Sequence, residues 1–150
     1  MPLHASCVAL ETDGVLILGE AGTGKSDLVL RLMGRGWVLV ADDQVELSAD
    51  ADGLQATPPL ALRGMLEIRG LGLMRDLPVT APSRLRLAIR LLPPGTDAPR
   101  LPEPAQFTAL GHALPQIALA ARENSAPDKV AMALAAACGR ASMAAGAFGH

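Results

Sequence analysis

The stretch Gly19-Glu20-Ala21-Gly22-Thr23-Gly24-Lys25-Ser26 decides the fold. It fits the pattern GxxxxGK[ST] without a mismatch. The apolar run Val15–Leu18 stands before it and reads as a strand. Ser26–Arg35 follows and reads as a helix, with Leu28, Val29, Leu32 and Met33 on one face and Gly36 as its stop. Strand, glycine-rich loop and helix in that order are the context a phosphate-binding P-loop requires. The expectation is an α/β P-loop domain with a mixed central sheet flanked by helices, one domain over residues 1–150.

The chemistry of the stretch follows from its residue types. Glycines let backbone N–H groups turn inward around phosphate oxygens, so Gly19 to Gly24 form the cradle. The helix N-terminus adds partial positive charge. Lys25 reaches the β and γ phosphates of ATP, and the Ser26 hydroxyl can ligate Mg²⁺. Lys25 is one of only two lysines, against eleven arginines.

Working outward, Glu11-Thr12-Asp13-Gly14 separates the apolar runs His4–Leu10 and Val15–Leu18. Asp-Gly between such runs predicts a hairpin turn at Asp13-Gly14, pairing Thr12 with Val15. That register sets Val8 opposite Gly19 and His4 alongside Thr23, so His4 is a candidate site residue, oriented by Asp42. Trp37–Ala41 reads as a buried strand ending in Asp42-Asp43. Ligand chemistry in open α/β sheets gathers at strand carboxyl ends, where two carboxylates can hold Mg²⁺ or accept a proton. Glu67, at the end of a short Met65–Ile68 strand and ahead of Arg69-Gly70-Leu71-Gly72, suits metal ligation followed by close backbone approach.

Beyond the site, Val45–Leu47 and Leu54–Thr57 read as partners across an Asp50–Gly53 turn. Leu85–Leu92, alternating with Arg84, Arg86 and Arg90, reads as a half-exposed strand. Pro93–Pro104 holds five prolines in twelve residues and reads as a loop. Ile117–Ala121 reads as a strand. Ser125-Ala-Pro-Asp128 has a capping-box pattern, so a helix is expected from about Ala126 to Ala145, packed on the sheet or on another subunit.

Composition excludes several functions. The chain has no Tyr, one Trp and two Phe, which leaves little for base stacking. A net charge of −2 gives no basic field for nucleic acid. Cys7 and Cys138 lie too far apart for a metal-ligand spacing and read as reduced thiols. No basic segment with an apolar run opens the chain, and Val130–Cys138 is too short to span a membrane, so a cytoplasmic location is expected.

His4, the loop Gly19–Ser26, Val40-Ala-Asp-Asp43 and Leu66-Glu-Ile-Arg-Gly-Leu-Gly72 together resemble the HPr kinase/phosphorylase family. The likeness is good from His4 to about Leu73 and loose afterwards. It implies a short form holding the catalytic domain only, with a P-loop fold like that of phosphoenolpyruvate carboxykinases. It implies ATP-dependent phosphorylation of a serine on HPr, a small phosphocarrier of the sugar phosphotransferase system. It also implies the reverse phosphorolysis by inorganic phosphate, which releases pyrophosphate, and a hexameric homo-oligomer. Carried over, Lys25 binds phosphates and Ser26 with Glu67 holds Mg²⁺. Asp43 is the general base, and the acid in reverse, with Asp42 and His4 supporting it electrostatically. An Arg-Asn pair tied to the reverse direction in the family has only Arg122-Glu123-Asn124 as its imperfect counterpart. The alternatives are an ATP-binding sensor without transfer activity, distinguished by an unused Asp43, and a P-loop kinase with another acceptor, for which the Pro93–Pro104 loop would shape a different site.

Overall fold

Short apolar runs divided by turn residues fold into eleven strands, two α-helices and one short 3-10 turn (Leu60–Leu62) among residues 1–149, the part that the computed structural model describes. Strands β1 (Pro2–Leu3), β2 (Ser6–Leu10) and β3 (Asp13–Leu18) precede helix α1 (Lys25–Met33). Strands β4 (Val38–Ala41), β5 (Val45–Asp50), β6 (Gly53–Thr57), β7 (Leu66–Ile68), β8 (Gly72–Met74) and β9 (Ser83–Leu91) follow. Strands β10 (Ala105–Ala109) and β11 (His112–Leu119) lead into helix α2 (Ala126–Ala137).

Nine strands form one curled, mixed sheet in the order β1-β5-β6-β9-β3-β2-β4, with β11 also on β9 and β10 on β11. Strand β9 is the branch point. Its first residues pair antiparallel with β6, its last ones parallel with β11, and its whole length runs parallel to β3. β7 and β8 make a separate hairpin.

The two faces of the sheet explain the continuous apolar runs. Side chains alternate between faces along a strand. On one face Val15, Ile17, Leu87 and Ile89 pack with Leu28, Val29 and Leu32 of α1 and with Val130 and Leu134 of α2. On the other, Leu16, Leu85 and Ala88 pack with Cys7, Leu47 and Leu54. A strand covered on both faces keeps few positions for a polar side chain, and Ser6 and Ser83 are buried exceptions in β2 and β9. Each fully buried Leu or Ile contributes about 1.5–3 kcal/mol.

Several sequence expectations need correction. The β2–β3 turn is Glu11-Thr12, with Leu10 opposite Asp13 and Val8 opposite Val15. Gly14 is glycine for another reason: a Cβ there would lie 2.5 Å from Ser83 Oγ and 2.9 Å from the Arg84 carbonyl oxygen of β9. The expected register differs by four residues, an even number, so the inward set is unchanged. Leu85–Leu92 lies at the centre of the sheet with its leucines and Ile89 buried, while Arg86 and Arg90 are exposed as expected; Arg84 pairs with Asp50 and Arg86 with Asp13. Helix α2 ends at Ala137 rather than Ala145. Gly139 takes φ +76°, and the Arg140 N–H reaches back to the Ala135 carbonyl, which closes the helix. Its Ser125 makes no side-chain cap, so the capping box does not form. Helix α1 ends at Met33, with Gly34 as its C-cap, two residues before the expected Arg35; Gly36, at φ +92°, reverses the chain just beyond it, and the Trp37 N–H bonds the Leu32 carbonyl.

Candidate functional site

Topology gathers the chemistry at one edge. β3, β9 and β11 run parallel, and β4 runs with them because β2 is antiparallel to both β3 and β4. The carboxyl ends of all four strands, and the start of β2, therefore meet on the same side. That edge carries the glycine-rich loop after β3, Asp42-Asp43 after β4, Leu92–Asp97 after β9, Ala120–Glu123 after β11, and His4–Ser6 before β2.

The glycine-rich loop turns on Gly22 and Gly24, at φ +85° and +98°. Side chains strain in that region, and glycine does not. Thr23 donates its hydroxyl proton to the Glu20 carbonyl at 2.7 Å. Lys25 is only 7% exposed, and its ammonium donates to the carbonyls of Gly19 at 2.7 Å and Glu20 at 3.2 Å. A buried cation held by neutral carbonyls, rather than by a carboxylate, keeps its full charge available to an anion in the loop.

The aspartates part company. Asp42 Oδ1 accepts the hydroxyl protons of Ser26 at 2.8 Å and Ser6 at 3.0 Å, and Oδ2 faces the Glu67 N–H at 3.4 Å. Asp43 stands at φ +65° in a tight turn closed by the Gln44 N–H on the Asp42 carbonyl at 2.7 Å. Such a conformation is uncommon for a residue other than glycine, and it sends the two carboxylates in different directions. Asp43 Oδ1 lies 3.3 Å from His4 Nε2, and both side chains are more than half exposed.

Two expectations about this cluster change. His4 is oriented by Asp43, not by Asp42. Nor does the hairpin register bring it in: the backbone of its neighbour Ala5 bonds the Asp43 carbonyl at 3.1 Å. The carboxylate bonded to Ser26 is that of Asp42, whereas Glu67 contributes its backbone N–H and leaves its side chain exposed. Ser26 and Asp42 offer converging hard oxygens, the donor class suited to Mg²⁺, with the Glu67 carboxylate on the adjoining strand. Among the described residues no group of three or more His, Cys, Asp or Glu is arranged to hold a metal.

Arg122 is exposed at the far side of the loop. It lines, with Thr23 and the 92–97 segment, a cavity of about 270 Å³. The turn that carries it is held by a residue that sequence reasoning missed. The Arg31 guanidinium of α1 donates to the carbonyls of Ala121 and Glu123 and pairs with Asp27. A second missed residue is Ser6, fully buried and bonded to both aspartate segments. A hydroxyl inside the apolar run Ala5–Leu10 was its one signal. A larger, mostly apolar cavity of about 610 Å³ lies against α2 and shares Glu123 with the smaller one; none of the candidate residues line it. Burial pushes the Cys7 thiol up, away from a reactive thiolate.

Comparisons with known proteins bear on the fold and the family. A solved structure of the Hpr(Ser) kinase/phosphatase from Coxiella burnetii superposes with a TM-score of 0.74 at 30% identity, covering 89% of this chain and 87% of that one. An HPr kinase/phosphorylase from Xanthomonas campestris pv. campestris is 41% identical over 115 residues, 72% of this chain and 35% of the relative. One from Stenotrophomonas maltophilia is 43% identical over 102 residues, 63% of this chain and 32% of the relative. The chain thus spans about a third of the length of the curated relatives it matches. Residues 1–80 match the family described as the HPr Serine kinase C-terminal domain, and the chain belongs to that family.

Proposed function

We propose that this chain is an ATP-dependent kinase for a serine on an HPr-type phosphocarrier protein, built on a P-loop like that of phosphoenolpyruvate carboxykinases. The observation that carries this reading is the division between the aspartates. Asp42 is tied to Ser26 beside the phosphate cradle, while Asp43 is exposed and paired with His4. One carboxylate is thus free to meet an incoming hydroxyl.

In this reading Lys25 and the N–H groups of Gly19–Ser26 bind the phosphates. Ser26 and Asp42, with Glu67 alongside, would hold Mg²⁺, which neutralises charge on the transferring phosphoryl group. Asp43 accepts the serine hydroxyl proton as the serine oxygen bonds to the γ-phosphorus and the bond to the ADP oxygen breaks. His4 steadies the Asp43 carboxylate. In the reverse direction inorganic phosphate takes the phosphoryl group from phosphoserine, giving pyrophosphate, and Asp43 returns the proton to the serine oxygen. Arg122, which lines the smaller cavity, would favour that anion. A cytoplasmic homo-oligomer, hexameric as in the family, completes the proposal. Among the described residues no helix is long and apolar enough to cross a membrane.

The test is incubation with γ-labelled ATP, Mg²⁺ and a purified HPr-type protein. Label on a serine, lost in Asp43→Asn, is the expected result. ATP binding without label transfer would overturn the kinase reading and leave a nucleotide sensor.

A further inference from the structure

Asp42 and Asp43 carry different duties in the proposed reaction, yet one buried hydroxyl touches both segments. Ser6 opens β2 and is 0% exposed. Its Oγ donates to Asp42 Oδ1 at 3.0 Å and accepts the Asp43 N–H at 3.1 Å. The preceding residue closes the same turn from the other side, since the Ala5 N–H bonds the Asp43 carbonyl at 3.1 Å. A turn with an aspartate at φ +65° is therefore fastened to the edge of β2 at both of its peptide groups.

A hydroxyl has one proton and two lone pairs, so Ser6 can serve a carboxylate and an amide at once. Apolar replacement at this buried position would strip both partners together. The Asp43 N–H would lose its acceptor away from water, and the turn would lose what offsets its strained backbone. Asp42 would keep Ser26 on Oδ1 and the longer Glu67 N–H contact on Oδ2 but lose the second hydroxyl donor on Oδ1.

We propose that Ser6 is a positioning residue that sets both aspartates at once, orienting the Asp42 carboxylate toward Ser26 and clamping the Asp43 turn. This rests on the reading of Asp43 as the base. It differs from a packing role, which any apolar side chain of the same size would fill. It also differs from a catalytic role, because the hydroxyl is buried and faces the aspartates.

The test compares Ser6→Val with Ser6→Thr, which match in shape and differ in the hydroxyl, and adds Ser6→Ala, which brings no extra bulk into the core. Two readouts are taken on the full chain: steady-state transfer to an HPr-type protein at varied ATP, and the Mg²⁺ dependence of ATP affinity by calorimetry. The expected result is a 10- to 100-fold lower kcat in Ser6→Val and Ser6→Ala, with KM for ATP within about twofold, in line with the cost of misplacing a reacting group. Half-saturating Mg²⁺ for ATP binding should rise roughly tenfold, as for lost outer partners of a metal ligand. Ser6→Thr should restore both. Should Ser6→Thr not fold, the split between kcat and KM and the Mg²⁺ shift in Ser6→Ala decide alone. If wild type transfers nothing to the HPr-type protein, the kinase reading falls, and the Mg²⁺ titration still judges Ser6. Equal behaviour of Ser6→Val and Ser6→Thr, or wild-type kcat and Mg²⁺ dependence in Ser6→Ala, would overturn the proposal.

Discussion

Asparagine at Asp42 and at Asp43 should produce opposite phenotypes. Asp42 is half-buried and accepts two hydroxyl hydrogen bonds, at 2.8 and 3.0 Å. Asparagine keeps an oxygen there but removes its charge, so each bond falls from about 1.5–3 kcal/mol to about 0.5–1.5 kcal/mol. The loss is about 2 kcal/mol for the pair, or ~4–8 °C in Tm for a chain of this size. Asp43 is 59% exposed, and its carboxylate touches only His4 among the described residues, so Asp43→Asn should stay within about 0.5 kcal/mol of wild type. The rates should order the other way. Asp43→Asn loses the proton acceptor and should slow transfer by roughly 10²–10⁴-fold with ATP affinity unchanged. Asp42→Asn should chiefly raise the Mg²⁺ requirement, and saturating Mg²⁺ should recover most of its rate. Calorimetric melting and single-turnover transfer on both variants check this. A lower Tm for Asp43→Asn than for Asp42→Asn, or a larger rate loss at Asp42 under saturating Mg²⁺, would refute the division of roles.

Lys25→Ala should lower ATP affinity about 10- to 150-fold, the worth of a charge-assisted contact of roughly 1.5–3 kcal/mol; unchanged affinity by calorimetry would remove Lys25 from the phosphate site. Arg31→Met keeps the side-chain stem but frees the Ala121 and Glu123 carbonyls, so hydrogen exchange across 120–125 should speed up at least tenfold with α1 protection unchanged. The Arg84 guanidinium bonded to Asp50, with the Asp52 N–H, holds the Asp50 carboxyl well below the usual carboxylate range. A carboxylate so depressed adds stability that is complete above its unfolded pKa of about 3.9 and is lost as pH falls toward the folded value. The urea midpoint of Asp50→Asn should therefore trail wild type most at pH 7 and converge on it below about pH 4; a constant gap down to pH 2 would count against the pairing.

What the sequence disclosed follows from how local each signal is. The glycine-rich loop, its strand and its helix are specified within the single stretch Val15–Arg35, and the structure has all three there. The aspartate pair at a strand end was legible for the same reason. Gly14 misled because its requirement is tertiary: it makes room for β9 rather than for a turn. The arginines of β9 read as an exposed face, and Arg86 and Arg90 are exposed, but alternation does not show that Asp50 lies beside Arg84 and Asp13 beside Arg86. Strands β1, β8 and β10 were missed, being short and mostly polar or exposed. The assignment of Asp42 to Ser26, and of His4 to Asp43, depends on which way a strained turn throws two neighbouring side chains, and no spacing rule encodes that.

The branching of β9 bears on how the molecule comes into being. Residues 1–80 include His4, the whole glycine-rich loop, both aspartates and Glu67, and they coincide with the segment that matches the family. Yet β3, on which the loop is mounted, has only β2 as a partner within that segment, and its other edge is completed by Ser83–Leu91. The two strands pair at separations of about seventy residues, an expensive loop to close before any contact repays it. During synthesis the glycine-rich loop should therefore wait, with an apolar strand edge uncovered, until the second half of the chain leaves the ribosome. A fragment cut after residue 80 would keep nearly every candidate residue and still present that edge to other copies of itself, so it should aggregate rather than bind nucleotide.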